Sequence, residues 1–563
     1  MINSKQLQTL NSIKIPLGLG GLLSLLSFIL FWDVLSANWR ADDTQILAQA
    51  LRYDVLDNFF NPEIWRQLSP ANLTPWVVAS FEIDLFLFGL SPIGFYTHQL
   101  VAIALVAIAC FMLVRLWLDQ RFAFAAALIF LLGLPTTAAA NNLMTRHYVE
   151  GLLFACAAVY FCVGYLRGGQ SKHLAVAAAF YLLSITAKEV FVPLVFLIPL
   201  LVQGPNRYRF KALVVFLIVS GVYTLWRGLM LEGLVGGYTA PSQFLSADYL
   251  MEAVGFIFSI PALLLGEYWQ ILAVFYVLAL VLLCLKSKRA VIVILMVLAL
   301  ELLPLVPLAN IPGISYPGRY YFLVWFTFCF SLAFCFKTAE DFLADKVPAK
   351  QANLVIFALF CFVVVYLQTS RQNFVGAIAA RNAEFDVQAE FIWENGDDKY
   401  FVPSSGLLSG FWFVRGLREI KEFDRTGASV PNIVLDDMFL SSTTRPLYKF
   451  DSECNCMLDV SETLDERIRV QRGLVDPAGD LRIEISFQNN VFKWDFAPYI
   501  DNDYYIFSDY LGMVRFPNQG EFLFYDIDGP LEIRVGHFPS NGLKTFSDIM
   551  LIEQDAAPIS WPN

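Results

Sequence analysis

The stretch YWQILAVFYVLALVLLCLKSKRAVIVILMVLALELLPLVPL, residues 268–308, decides the fold class. It contains two apolar runs of about twenty residues, each long enough for a helix to cross a bilayer. The basic cluster 286–289 separates them. Because Lys and Arg concentrate on the cytoplasmic side of membranes, this stretch predicts a helical hairpin in a membrane, with its turn at the cytoplasmic surface.

Composition extends this interpretation to most of the chain. The 563 residues are 57% hydrophobic and only 16% charged, with a mean hydropathy of +0.56, whereas soluble domains carry about 25% charged residues. These values exclude an ordinary cytosolic enzyme and any disordered or fibrous class. Apolar runs predict spans near 15–36, 92–117, 121–140, 147–166, 172–187, 190–203, 209–229, 268–286, 289–308, 318–337 and 353–370.

Loop charge predicts the orientation of these eleven spans. With the N-terminus inside, fifteen of the Lys and Arg residues in 1–370 lie in cytoplasmic segments and seven on the outer side. Counting the ambiguous run 247–266 as a twelfth span would move the cluster 286–289 outside, against the usual bias. We therefore interpret 247–266 as an interfacial or re-entrant helix.

The charge also divides the chain into two parts. Residues 1–372 carry 19 acidic and 23 basic residues, whereas 373–563 carry 31 and 16. The sequence predicts an α-helical polytopic membrane domain of about 11 transmembrane helices over 1–372. An acidic, soluble, extracytoplasmic α+β domain follows over 373–563, with helices near 374–395 and 406–420. It becomes β-rich after about 480, where apolar and polar residues alternate. The acidic tail argues against nucleic-acid binding.

The first outer loop, 37–91, carries four acids that are candidates for chemistry. Asp42 and Asp43 follow directly on the first span. Adjacent carboxylates could act as a general base toward an acceptor hydroxyl, or help to hold a divalent cation such as Mg or Mn. Two solvated loop aspartates would give the same pattern. Glu82 and Asp84 lie in an apolar segment that suits an interfacial helix, with the acids turned to water or to a site.

Cations gather at the outer ends of the spans, where positive charge is disfavoured. Any one of them could simply snorkel to the interface, but together they suit the oxygens of a phosphate. Glu301 lies inside the ninth span and is expected to pair with one of these cations, whereas Lys188 and Glu189 could also satisfy each other. The candidates are Arg146, Lys188, Glu189, Arg227, Glu301 and Arg319, with Tyr320 and Tyr321 beside Arg319.

This arrangement matches one reaction. Carboxylates would face an acceptor hydroxyl, and cations would face the phosphate that leaves when a sugar is transferred from a lipid-phosphate donor. A lipid-linked sugar flippase or other transporter is an alternative, although it predicts ionisable groups near the midplane of several spans. A second alternative is a non-catalytic membrane scaffold whose acidic tail binds a partner.

The order of short motifs also resembles a known family, the polytopic GT-C glycosyltransferases, in their protein O-mannosyltransferase-like and TMTC-like branch. Asp42-Asp43 resembles the acidic pair after the first span, and 74–95 resembles the motif that follows it. Met144-Thr145-Arg146, Ala187-Lys188-Glu189 and Arg319-Tyr320-Tyr321 resemble later motifs, and Arg227 matches an arginine near the seventh span. The sequence departs from the family pattern at Thr74, Tyr96 and Gln99.

The resemblance implies a GT-C fold and transfer of a sugar from a polyprenyl-phosphate donor, with inversion at the anomeric carbon. It points to Asp42 as the base and to Asp43 as its support, although the sequence itself does not separate them. It places the reaction at the periplasmic or luminal face, so we expect a multi-pass protein of the plasma (inner) membrane. The acceptor would be a lipid, a glycan or a secreted protein.

Overall fold

The computed structural model divides the chain into two compact units. The first comprises Met1–Ser36, Ile93–Leu225 and Leu245–Ala377, and the second Ala37–Pro92, Trp226–Phe244 and Ile378–Asn563. The residues that the structure describes are 17–69, 71–201, 203–232, 247–308, 318–403, 408–423, 429–434, 439–475, 480–488, 491–499, 504–508, 512–523, 530–539 and 543–562.

The first unit is built from apolar helices. They are α1 (Leu17–Leu30), α6 (Pro92–Val114), α7 (Gln120–Leu132), α8 (Leu134–Ala140), α9 (Arg146–Gly168), α10 (Ser171–Ala187), α11 (Asn206–Leu231), α12 (Ala247–Leu265), α13 (Trp269–Lys286), α14 (Lys288–Leu302), α15 (Phe322–Ala344) and α16 (Ala349–Glu394). The last turns of α11 and α16 continue into the second unit. Short 3₁₀ helices join several of them, at Trp32–Ser36, Leu143–Thr145, Glu189–Leu200, Leu303–Leu308 and Arg319–Tyr321.

Seven helices in the described residues are long and apolar enough to cross a membrane, or eight if the bent pair α7–α8 forms one span. The polytopic helical class is therefore confirmed. Four predicted or ambiguous spans are shorter apolar helices, so the count of eleven stays a prediction. They are Gly18–Leu30, Ser171–Ala187, Glu189–Leu200 and Ala253–Leu265.

Two of the predicted spans are interrupted by proline. The helix predicted over 121–140 bends by 58° between α7 and α8, at Gly133 and just before Pro135. An added Cβ at Gly133 would lie 2.1 Å from the Trp325 ring, and Trp325 Nε1 donates to the carbonyl oxygen of Phe130 at 3.0 Å. Thr136 Oγ1 donates to the same carbonyl oxygen at 2.6 Å, and the two bonds satisfy a backbone group at the bend. The segment predicted over 190–203 is a 3₁₀ helix with Pro193 and Pro199 inside it.

The last predicted span and the helix predicted at the start of the tail form one continuous helix. α16 has 46 residues and is therefore about 69 Å long, more than twice the roughly 30 Å of a bilayer's hydrocarbon core. The boundary predicted at 372 falls inside this helix.

The second unit contains the helices of the first outer loop and the tail. The loop forms α2 (Asp43–Arg52), α3 (Val55–Phe60), α4 (Pro62–Leu68) and α5 (Trp76–Phe88), and the tail adds α17 (Leu408–Phe423) and α18 (Leu464–Gly473). α17 packs closely on α2, because an added Cβ at Gly416 would lie 2.4 Å from Thr44 Oγ1. Thr44 Oγ1 also donates to the carbonyl oxygen of Phe413 at 3.0 Å.

The described residues of the tail form three sheets. The strands are β1 (Tyr400–Val402), β2 (Asn432–Ile433), β3 (Leu447–Asp451), β4 (Cys456–Asp459), β5 (Arg482–Gln488), β6 (Val491–Ala497), β7 (Tyr504–Ser508), β8 (Gly512–Phe516), β9 (Gln519–Leu523), β10 (Leu531–His537), β11 (Thr545–Phe546), β12 (Met550–Ile552) and β13 (Ile559–Trp561). The first sheet has the order β2-β1-β3-β4 and is mixed. The others are antiparallel, with the orders β11-β10-β7-β8 (β12 also pairing with β10) and β13-β5-β6-β9.

The two antiparallel sheets share one core. Alternate residues of β5 and β6, such as Ile485 and Trp494, pack with Ile506 of β7 and Val535 of β10. The alternating pattern seen in the sequence after about 480 thus corresponds to strands that bury one face.

The predicted orientation can be tested by labelling. In a variant without the seven unpaired cysteines, single cysteines at the exposed positions Ser171 and Ser442 should react with an impermeant thiol reagent from opposite sides of the membrane. The positive-inside distribution predicts that Ser171 is cytoplasmic. Both cysteines should react once the membrane is permeabilised, and labelling of both from one side of intact vesicles would contradict the topology.

Candidate functional site

The acidic pair of the first outer loop lies at the start of α2 in the second unit. Asp43 is fully buried and Asp42 is partly exposed. Asp43 Oδ2 accepts a hydrogen bond from the backbone N–H of Arg40 at 3.1 Å. Asp43 therefore has a structural role at the helix start, which leaves Asp42 as the more accessible carboxylate of the two.

A strained residue precedes Asp42. Ala41 has φ +45°, in the left-handed region that non-glycine residues seldom adopt. Such conformations persist only where the surrounding structure imposes them, and they are concentrated at functional sites. The strain therefore supports Asp42 as a candidate for chemistry.

The second pair of acids lies on α5. Asp84 is fully buried, whereas Glu82 is partly exposed with one carboxylate oxygen buried. Burial first, and then the neighbouring charge of Asp54, raise the pKa of Glu82 to about 7, against an opposing hydrogen bond at Val55. The end of the same helix exposes apolar side chains, with Phe86 88% exposed, which suits the interfacial position predicted for it.

Arg227, at the end of α11, also belongs to the second unit. It is only 7% exposed, and its Nη2 donates to the carbonyl oxygen of Ala71 at 3.3 Å. The neighbouring Trp226 donates from Nε1 to the carbonyl oxygen of Phe59 at 2.9 Å and stacks on its ring. These contacts fix the first loop to the end of α11.

Two predicted cations come together in the first unit. Lys188 lies between α10 and the 3₁₀ helix Glu189–Leu200, and its Nζ is 5.2 Å from the centre of the Tyr148 ring. Arg319 lies over the ring of Tyr320 at 5.2 Å, and the Tyr148 and Tyr320 rings meet edge to face at 6.3 Å. We call Lys188, Arg319, Tyr148 and Tyr320 the cation cluster.

The electrostatics of Lys188 show that its ammonium lies within range of the charge of Arg319. Lys188 is only 8% exposed, and no carboxylate in the described part of the chain forms an ion pair with it. The pKa of Lys188 is lowered to about 8: burial is the main cause, the charge of Glu189 opposes it, and the charge of Arg319 adds to it. Glu189 thus moderates the charge of Lys188 without a direct salt bridge.

His147 and Tyr321 border the cation cluster. The His147 ring lies 4.6 Å from that of Tyr148 and within electrostatic range of both Lys188 and Arg319. Tyr321 is fully buried.

The fourth predicted cation, Arg146, is used differently. It is fully buried, and its Nη2 donates to the carbonyl oxygen of Phe95 at 2.8 Å, while Nε donates to Gln99 Oε1 at 3.4 Å. Gln99, one of the departures from the family pattern, thus helps to hold Arg146 against α6.

Glu301 has a different partner from the cation that the sequence predicted. Its Oε1 accepts a hydrogen bond from Thr327 Oγ1 at 2.5 Å, and no cation among the described residues pairs with it. A hydroxyl on the next helix supplies the contact, because Thr327 on α15 faces α14 at this level. The predicted ion pair of Glu301 is therefore wrong.

Three residues near these sites were not predicted to be site residues. Glu150 on α9 lies 3.4 Å from His98 Nε2, and its spacing of four residues from Arg146 was the available signal. Arg40 binds Asp386 on α16 through two hydrogen bonds, at 3.0 and 2.6 Å. That pair had no local signal, because its partners are 346 residues apart.

The described residues contain no group of three or more His, Cys, Asp or Glu side chains that could hold a metal ion. Asp43 Oδ2 accepts the Arg40 N–H. The Mg or Mn suggested by the sequence at Asp42 and Asp43 stays a prediction.

The fold defines a polytopic α-helical membrane protein with a sheet-containing tail. No family model matches the sequence, and the curated proteins include no significant match. The structure is similar to that of the archaeal oligosaccharyltransferase AglB from Archaeoglobus fulgidus, in complex with an inhibitory peptide and a dolichol-phosphate. The identity is 12% and the TM-score 0.42, over 74% of this chain and 64% of AglB.

Two further solved structures are similar. ArnT from Cupriavidus metallidurans, bound to undecaprenyl phosphate, shares 13% identity at a TM-score of 0.37, over 77% of this chain and 93% of ArnT. An Archaeoglobus fulgidus oligosaccharyltransferase in complex with Zn and sulfate shares 12% identity at 0.43, over 85% of this chain and 73% of that chain. These likenesses concern the path of the chain, so its function has to rest on its own side chains.

Proposed function

We propose that this protein is an inverting GT-C-type glycosyltransferase that moves a sugar from a polyprenyl-phosphate donor to an acceptor outside the cytoplasm. The observation that carries the proposal is the cation cluster. Burial and the nearby charge of Arg319 together hold the pKa of Lys188 at about 8, against the opposing charge of Glu189, and no carboxylate in the described residues forms an ion pair with Lys188. A second cation beside a buried ammonium is unfavourable, and this arrangement supports an anionic ligand.

The chemistry of the cluster suits a phosphate. The planar guanidinium of Arg319 can donate two parallel hydrogen bonds to phosphate oxygens, and the ammonium of Lys188 adds a point charge. The rings of Tyr148 and Tyr320 lie beside the two cations and favour their charged forms. The cluster would therefore stabilise the charge that develops on the phosphate as it leaves.

Asp42 supplies the base for the acceptor. As the acceptor oxygen bonds to the anomeric carbon, the bond from that carbon to the phosphate oxygen breaks. The hydroxyl proton passes to Asp42, and the electron pair of the broken bond remains on the polyprenyl phosphate. Attack opposite the leaving group inverts the anomeric centre. No step requires a metal.

The acceptor and compartment follow from the same scheme. A hydroxyl on a lipid, a glycan or a secreted protein would be a suitable nucleophile, and the transferred group would be a hexosyl or pentosyl unit. We place the reaction and the acidic tail on the periplasmic face of the plasma (inner) membrane, because loop charge orients the chain in that way.

Mass spectrometry tests the proposed function. Envelope lipids, glycans and proteins from cells with and without this chain should differ by a hexose- or pentose-type mass on one acceptor, with the polyprenyl-phosphate sugar accumulating in its absence. Expression of the wild-type chain should restore the product. If no glycosylated species changed, the glycosyltransferase would be excluded. Loss of the outward-facing donor itself would instead indicate a flippase.

A further inference from the structure

The ion pair between Arg40 and Asp386 has a geometry that constrains the residue beside it. Arg40 Nε and Nη2 donate to the two carboxylate oxygens of Asp386 at 3.0 and 2.6 Å. Asp386 Oδ1 also accepts the backbone N–H of Asn38 at 3.0 Å. The side chain of Arg40 is only 10% exposed, so this fork contact is shielded from solvent on the arginine side. Bidentate contacts of this kind fix orientation as well as distance.

The turn after Arg40 is held from three directions. Its side chain is bound by Asp386, its backbone N–H by Asp43 Oδ2 at 3.1 Å, and its backbone oxygen accepts the N–H of Asp43 at 3.0 Å. Thr44, two residues beyond Asp42, is bound to Phe413 on α17. Asp42 thus lies between anchored neighbours.

The contacts of Arg40 and Thr44 hold Ala41 in a strained backbone conformation. A φ of +45° is unfavourable for a residue with a Cβ, so the turn would relax if its neighbours released it. Relaxation would rotate the peptide that carries Asp42. Displacing a reacting group by about 1 Å can reduce a rate a hundredfold.

We propose that Asp386 is a positioning residue, which holds Arg40 and thereby keeps the strained Ala41 turn and Asp42 in the orientation that the chemical step requires. This inference rests on the proposed function, in which Asp42 is the base. It assigns the far part of α16 a role in the reaction that neither its sequence nor its exposure suggests. Asp386 itself touches no reacting atom.

A positioning role predicts that loss of the Asp386 carboxylate changes turnover and leaves donor binding almost unchanged. Asp386→Asn keeps the shape of the side chain and an oxygen that can accept the Asn38 backbone N–H. It removes the negative charge and one of the two oxygens to which Arg40 donates. We expect kcat to fall about tenfold or more, while KM for the polyprenyl-phosphate sugar stays within about threefold, since the cation cluster is unchanged. Asp386→Glu should recover part of kcat, because it restores the charge.

Two further variants distinguish positioning from simple stability. Ala41→Gly should raise the melting temperature, because glycine tolerates this φ, yet lower kcat by allowing the turn to move. Glu232→Gln breaks another ion pair of the second unit, Arg66 with Glu232 at 2.8 Å, and should leave kcat unchanged. A purely structural role for Asp386 predicts that kcat follows the melting temperature in all variants.

The experiment measures initial rates and melting temperatures of the full-length protein in nanodiscs, using the acceptor found by mass spectrometry, and includes Asp42→Asn. If Asp386→Asn folds and keeps wild-type kcat while Asp42→Asn is inactive, the positioning role is wrong and the proposed base stands. If Asp42→Asn is active, both are wrong. Should Asp386→Asn fail to fold, Arg40→Lys, which keeps the charge but loses the fork, replaces it with the same expected and overturning results.

Discussion

Asp42→Asn is expected to abolish sugar transfer while leaving the binding of undecaprenyl phosphate within a few-fold of wild type. The substitution keeps the size of the side chain and removes only its ability to accept a proton. The nucleophile is a neutral hydroxyl, so its attack needs a base within about 3 Å. General-base catalysis is typically worth a hundredfold to ten-thousandfold, and the loss should appear in kcat.

Two substitutions serve as comparisons for Asp42→Asn. Glu63→Gln removes an exposed carboxylate of the same loop and should have no effect on transfer. Asp43→Asn should mainly lower the melting temperature, because Asp43 is buried and accepts the Arg40 N–H. Activity in Asp42→Asn with none in a folded Asp43→Asn would reverse their roles. Activity in both would move the base elsewhere, with Glu82 and Asp84 as the next candidates.

The membrane class and the tail strands could be predicted from sequence because each rests on a repeated local signal. Apolar runs of membrane-spanning length and the two-residue period of strands can both be recognised without knowledge of tertiary contacts. Breaks inside helices were harder to place. Pro135 is a local sign of a break in 121–140, but the hydrogen bond that Trp325 donates beside the bend comes from nearly two hundred residues away and is not visible in that segment.

The continuity of α16 shows another limit. The apolar run ends near 370, and composition changes there from apolar to charged. A helix does not have to end where the membrane does, because its backbone hydrogen bonds are internal and the residues that follow include good helix formers such as Ala, Arg and Glu. The change of composition predicts both the end of a span and the boundary at 372, and α16 continues through both.

Candidate site residues could be predicted where a charge lies in a position that charged residues usually avoid. Lys188 and Arg319 could be predicted as candidates because cations are rare on the outer side, and the structure brings them together. Arg40 is one of the seven basic residues that the sequence places on the outer side, but its partner Asp386 could be found only from tertiary structure. Glu301 shows the opposite error, because a buried acid implies a partner without identifying it, and Thr327 fills that place.

Lys188→Met should weaken the binding of undecaprenyl phosphate and reduce transfer. Removing one cation from a partly desolvated phosphate contact costs about 1.5–3 kcal/mol, which corresponds to a roughly tenfold to hundredfold loss. Arg319→Ala should have an effect of the same size. Lys399→Met is the matched control, because Lys399 also lies over a tyrosine ring, at 5.5 Å from the centre of Tyr448, but far along the chain in the tail.

The pH dependence of wild-type binding provides an independent measure of the same contact. Because the pKa of Lys188 is lowered to about 8, its ammonium is charged below that pH and becomes neutral as the pH rises through it. A bound phosphate favours the charged form, so binding takes up a proton above pH 8. The affinity for undecaprenyl phosphate should therefore fall by up to about tenfold per pH unit there. Lys188→Arg keeps its charge over this range and should remove most of the dependence. An affinity that stays constant through pH 8 in the wild type, or a Lys188→Met protein that binds normally, would show that the phosphate is held elsewhere.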